Sequence, residues 1–209
     1  MNRIHARITA VAILAAFLLA AAPASADFMD FQGVGLNQQV RFHAPGKSVK
    51  VPAGQMRINY DGTDQLSYCV DIYATAGDGE VTEAPVLSLH NGDIVAWLYE
   101  VQSPDVTTGL EACSLQVAIW EALYETDGNP FDLSSGSFYV SENANAAAGA
   151  EALLAAAPTD YDPTGTFVLV SECKQDMLGY DNPPVPEPAA ASVMGLGGLF
   201  ALARRRRRR

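Results

Sequence analysis

Basic residues are scarce between the two ends of this chain. Of its 13 lysines and arginines, only Arg41, Lys47, Lys50, Arg57 and Lys174 fall between Asp27 and Val185, whereas every one of the 24 acidic residues except Glu187 does. Such a stretch repels nucleic acid and anionic polymers, so its partners are expected among neutral or basic molecules. Histidine is nearly missing: His43 and His90 alone fall in this stretch, too few for a zinc site, and no metal or organic cofactor is expected. No GxSxG, HExxH or phosphate-binding GxxxxGK[ST] occurs, which removes the usual signatures of serine hydrolases, zinc proteases and nucleotide hydrolases. Carboxylate pairs of a hydrolase, which form only in three dimensions, leave no such signature. Asp127-Gly128-Asn129 and Asp160-Tyr161-Asp162 have residue types that calcium loops share with ordinary turns, and turns are the reading taken.

What is present is concentrated at the termini. Arg3 and Arg7 precede an apolar run from Ile8 to Ala22, and Pro23 leads into Ala24-Ser25-Ala26, the small-x-small pattern of a signal-peptidase site. Residues 1–26 are therefore expected to be a signal peptide cleaved before Asp27. At the other end, the Pro-rich linker 182–188 carries Val185-Pro186-Glu187-Pro188, residues from Ala189 to Ala203 are apolar or small, and Arg204 to Arg209 close the chain. A motif, an apolar segment and a positive cluster, in that order, would hold the chain transiently in the inner membrane with the arginines in the cytoplasm. This tail, 189–209 with its linker, resembles the PEP-CTERM sorting signal. The resemblance implies an exosortase as processing partner, and a destination at the surface or in the exopolysaccharide matrix of a Gram-negative bacterium.

The remainder, 27–181, is long enough for one domain with its own core. Short alternating segments, Val40 to His43, Val49 to Val51, Met56 to Tyr60 and Leu66 to Ala74, predict antiparallel strands separated by Pro45-Gly46, Ala53-Gly54 and Asp61-Gly62. In the last of these, alternation puts Tyr68, Val70 and Ile72 on one face and Cys69, Asp71 and Tyr73 on the other. The period then changes to helical: a helix capped by Asn91 or Asp93, a second from Leu110 to Glu125, and an alanine-rich third from Ser141 to Ala157. Thr166 to Val170 predicts a returning strand. The expected fold is α+β, an antiparallel β-sandwich or barrel with an inserted helical subdomain. Cys69, Cys113 and Cys173 all lie in this exported part, where oxidation favours pairing, and an odd number leaves one over.

Tyr68-Cys69-Val70-Asp71, followed at a distance by Leu115-Gln116-Val117-Ala118-Ile119-Trp120-Glu121, resembles the TQxA-type thioester domain of bacterial surface adhesins. Trp97-Leu98-Tyr99 and Ala53-Gly54 fit the same pattern. The resemblance implies a bond between Cys69 Sγ and the side-chain carbonyl of Gln116, an acyl donor that captures an amine or hydroxyl on a surface protein or polysaccharide once, without turnover. Trp120, Tyr68 and Tyr73 would shelter it, with Asp71 and Glu121 nearby to move protons. It also implies that Cys113 and Cys173 form a disulfide, since Cys69 is consumed. One position departs from the pattern, Leu115 standing where the family has threonine. The competing expectation is a noncovalent structural or binding protein of the matrix, with Gln116 and Cys69 unjoined.

Overall fold

A computed structural model describes residues 27–126 and 131–181. The expected signal peptide, the sorting tail with Val185 to Pro188, and Asp127-Gly128-Asn129 lie outside the described residues. The domain has seven strands among those described: β1 (Asp27–Ala44), β2 (Lys47–Tyr60), β3 (Thr63–Ser67), β4 (Gly79–Pro85), β5 (Tyr139–Glu142), β6 (Thr166–Val170) and β7 (Met177–Tyr180). They pair antiparallel in the order β3-β2-β1-β4-β6-β7, with β5 against the far end of β1. The two outer strands then approach each other. Leu178 N–H donates to Tyr68 O at 3.0 Å, Val70 N–H to Asp176 O at 2.9 Å, and Ser67 Oγ to Leu178 O at 2.6 Å. Tyr180 N–H takes the Gln65 side-chain oxygen at 3.1 Å in place of a backbone acceptor. The result is a nearly closed antiparallel barrel with helices attached, which resolves the sandwich-or-barrel alternative.

The short strands expected between Val40 and Tyr60 are parts of two long ones. Register shifts between Phe31 and Gly33 and between Val34 and Asn37 bend β1, so one strand pairs with β4 at its start and β5 at its end. Gly54, expected as a strand break, lies inside β2 at φ +150°, where a Cβ would collide with the Leu36 carbonyl.

Three α-helices follow among the described residues: α1 (Gly92–Trp97), α2 (Gly109–Tyr124) and α3 (Ala144–Ala156). A wider π-type turn, Leu98–Gln102, extends α1. The helix α2 starts at a capping box: Thr108 Oγ1 accepts from Glu111 N–H at 3.2 Å, and the Glu111 carboxylate accepts from Thr107 and Thr108 N–H, each at 2.9 Å. Every residue from Ala112 to Ala122 is buried, because α2 packs on β1 and β2 on one side and on α3 on the other. Burying Leu115, Val117 and Ile119 contributes about 1.5–3 kcal/mol each. The alanine-rich helix begins three residues later than expected. Ser141 belongs to β5, and Asn143 is the cap, its Oδ1 accepting from Ala146 N–H at 3.2 Å. Asn91 precedes α1 but does not cap it with its side chain, which donates to Ala122 O at 2.9 Å and so ties α1 to α2.

The helical region is fastened to the closing hairpin by one carboxylate. Glu100 Oε1 accepts from the N–H groups of Thr164, Gly165 and Thr166 at 3.0, 3.2 and 3.0 Å and from Thr166 Oγ1 at 2.7 Å. Its Oε2 accepts from Thr164 Oγ1 at 2.6 Å and Tyr161 O–H at 2.8 Å. Partial burial works against the charge, but the Thr164, Thr166 and Tyr161 donors outweigh it and hold the carboxyl below its ordinary value.

Candidate functional site

Sheet structure stops at Ser67, not at Ala74 as the alternation suggested. Cys69 makes one isolated antiparallel pairing with Met177, and the chain beyond it is irregular. The expected two-faced strand is absent. Tyr68, Cys69, Val70 and Ile72 are all buried, so Cys69 does not share a polar face. Backbone that leaves a sheet inside a protein must find other hydrogen-bond partners, and side chains of α2 supply several of them here.

Gln116 and Cys69, 47 positions apart, exchange two hydrogen bonds. Cys69 N–H donates to Gln116 Oε1 at 3.0 Å, and Gln116 Nε2 donates to Cys69 O at 2.9 Å. Trp120, one helical turn on, donates its indole N–H to that same Cys69 oxygen at 3.1 Å. Tyr124, a further turn along, donates its O–H to Val70 O at 2.9 Å and accepts from Ile72 N–H at 3.3 Å. Positions 116, 120 and 124 thus form one stripe on α2, facing the Cys69 segment. Phe42, Trp120 and Phe138 pack ring against ring beside it, with the Phe42 and Trp120 centroids 5.2 Å apart.

The Cys69 thiol donates to Asp71 O at 3.1 Å, and Gln175 Nε2 reaches the same oxygen at 2.6 Å. Burial pushes the thiol well above its ordinary pKa. The Trp120 indole and the Lys47 ammonium oppose that rise, while the Asp71 and Asp176 carboxylates add to it. Both Cys69 and Gln116 are fully enclosed. Of the expected shelter, Tyr68 and Trp120 are buried, whereas Tyr73 is 51 % exposed and forms the outer surface.

The other sequence expectations separate. Asp71 stays beside Cys69, its carboxylate accepting from Tyr73 N–H at 2.7 Å. Glu121 does not join the pair. It is buried with neither oxygen hydrogen-bonded, and the charged groups acting on it are Glu125, Asp132 and Glu151. Burial first and those carboxylates second push it up to about 8. Leu115 lines a groove of about 350 Å³ together with Val106, Leu110, Ser114 and Leu153. A hydroxyl at position 115 would therefore face that groove, away from Cys69.

The expected Cys113–Cys173 disulfide is not formed. All three cysteines are free: Cys113 is enclosed between α2 and β1, its thiol 3.8 Å from Gln38 O, while Cys173 is exposed between β6 and β7. An interior thiol against one strand and a surface thiol on another loop do not meet.

Sequence reasoning missed Lys47, whose ammonium donates to Ile72 O and faces the Tyr73 and Phe42 rings. Lys47 falls between the Pro45-Gly46 turn and the alternating run Val49 to Val51, where nothing local marks a lysine for such a position. Among the described residues no three metal-ligating side chains cluster, and no helix is long and apolar enough to cross a membrane. Compared with protein-family models, curated proteins and solved structures, the chain matches none.

Proposed function

We propose that this is an exported surface or matrix protein in which Cys69 and Gln116 form an internal thioester that captures a nucleophile on a partner once. The observation that carries the reading is the double hydrogen bond between Gln116 and the Cys69 backbone, both residues being fully buried. Attack of the Cys69 sulfur on Gln116 Cδ forms the C–S bond and breaks the C–N bond, and the thiol proton leaves with the nitrogen as ammonia. Cys69 N–H already contacts Gln116 Oε1, where negative charge develops in that attack. Juxtaposition of Cys69 and Gln116 favours the step, and Leu115, which lines the groove, takes no part in it. The enclosed site keeps the acyl group from hydrolysis until a partner opens it.

The ends of the chain fit delivery to that place: signal peptidase would release Asp27, the first residue of β1, and an exosortase would act at the Val185 to Pro188 motif.

A second reading has its own support. Gln116 uses both polar atoms on Cys69, and the thiol has its own acceptor in Asp71 O, so the same geometry serves a noncovalent matrix protein in which Gln116 only braces irregular backbone.

Intact mass separates the two. Thioester formation lowers the mass by about 17 Da, and methylamine then adds to Gln116 while freeing one thiol at Cys69. A fresh preparation with full mass and no methylamine uptake would rule out the covalent reading.

A further inference from the structure

Lys47 opens β2, and its ammonium has no carboxylate partner among the described residues, in a domain crowded with carboxylates. Arg41 and Lys50 both pair with Glu142. Lys47 instead donates to Ile72 O and lies 5.7 Å from the Tyr73 ring centroid and 6.0 Å from that of Phe42. Two ring faces and one carbonyl oxygen match a primary ammonium, which carries charge for the rings and N–H for the oxygen.

The walls of this seat are held by groups other than Lys47. Phe42 is locked between Trp120 and Phe138. Tyr73 is fixed by its O–H on Pro45 O at 3.0 Å, its N–H on Asp71 Oδ1, and an edge-on contact with Tyr124 at 5.9 Å. Ile72 is held through its own N–H by Tyr124. Lys47 is itself half-buried at the last pair of the β1–β2 ladder, opposite Ala44 and beside the Pro45-Gly46 turn, so its side chain can leave without unzipping the strands. The Cys69 thiol donates to the Asp71 carbonyl and Lys47 to the Ile72 carbonyl, and the Lys47 ammonium is one of the charges acting on that thiol.

We propose that Phe42, Tyr73 and the Ile72 carbonyl form a seat for a primary alkylammonium, filled by Lys47 in the isolated chain and taken by a lysine or other primary amine of a partner. The seat exists whether or not the thioester does. Its consequence rests on the thioester reading: an amine seated there is concentrated on the segment that carries Cys69, which favours amines over sugar hydroxyls. In capture the nitrogen forms a C–N bond to Gln116 Cδ and the C–S bond breaks. Of the two protons the ammonium sheds, one ends on Cys69 Sγ and the other in solvent.

The test is calorimetric titration of the full chain with n-butylammonium chloride, with n-butanol and tetramethylammonium as controls. Lys47→Ala and Lys47→Ser, both at a half-exposed strand end, should bind n-butylammonium saturably with Kd on the order of millimolar. The unaltered chain should bind at least about tenfold more weakly, since its own lysine competes. n-Butanol, which lacks the charge, should not bind, and tetramethylammonium, which keeps the charge for the rings but has no N–H for the Ile72 carbonyl, should bind more weakly than n-butylammonium. Tyr73→Leu added to Lys47→Ala should abolish binding while leaving near-ultraviolet circular dichroism of the core intact. The seat is refuted by absent binding in both Lys47 variants, by equal binding of n-butanol, or by equal affinity in the unaltered chain. The intact mass reports separately on the Cys69–Gln116 bond, so saturable binding without a mass deficit removes the covalent reading and leaves the seat standing.

Discussion

Trp120 and Gln116 donate to one oxygen, the carbonyl of Cys69, from successive turns of the same helix. They are not equivalent. Gln116 also accepts from Cys69 N–H, so it alone satisfies both main-chain groups of that residue.

Replacing Gln116 by Ala should therefore cost about 2–4 kcal/mol, since it strands a buried N–H and leaves a cavity. Trp120→Phe keeps most of the ring bulk and one donor on the carbonyl, and should cost about 1 kcal/mol. Urea denaturation of the two variants should rank them in that order. Equal losses would mean that ring packing, not the carboxamide, holds the segment.

Glu121 makes stability fall as pH rises through neutrality. Its folded-state pKa, raised to about 8 by burial and by Glu125, Asp132 and Glu151, lies far above the ordinary value of 4.5. Between those values the folded state keeps a proton that the unfolded chain has lost, so stability falls as pH rises from about 5 to 8 and levels off above. Glu121→Gln should flatten that slope and raise stability at pH 8 by on the order of 1–3 kcal/mol. Denaturation at pH 5, 7 and 9 decides it, and an unchanged slope would place the titration elsewhere.

Glu100 behaves in the opposite sense. Its carboxyl is held below the ordinary value, so its contribution is present above the unfolded pKa and is lost as pH falls through the folded one. Glu100→Gln should destabilise by about 2–3 kcal/mol at neutral pH, because an amide presents one acceptor oxygen to a ring of donors built for two. The difference from the unaltered chain should shrink in acid. Parallel melting curves at pH 3.5 and 7 would show this.

Iodoacetamide should separate the two cysteines that the resemblance paired. Cys173 is exposed and should be modified under native conditions. Cys113 is buried and its pKa raised to about 11 by desolvation, so it should react only after unfolding. Peptide mapping reads both, and a Cys113–Cys173 bridge in the non-reduced digest would contradict this arrangement.

Much of the fold was legible because it follows from short-range chemistry. The helix expected from Leu110 to Glu125 differs from the observed Gly109–Tyr124 by one residue at each end, since capping and apolar content are local, and Thr166–Val170 is a strand as its β-branched run predicts. Local chemistry does not decide the chain after Ser67. The alternation of Tyr68 to Tyr73 has the period of a strand, but hydrogen bonds from Gln116, Trp120 and Tyr124 compete with the ladder and hold that segment irregular.

The sequence by itself determined an α+β domain and an acidic composition, because residue type and period carry those directly, whereas the Cys69–Gln116 pairing entered only as what the resemblance implies. Only the tertiary structure decided that Glu121 turns away from Cys69 toward α3, that Cys113 and Cys173 stay apart, and that Lys47 sits against the Phe42 and Tyr73 rings. Each depends on which surfaces of distant segments meet when the barrel curls toward closure. Spacing along the chain constrains local period, whereas the direction a side chain finally faces is set by whatever packs against it.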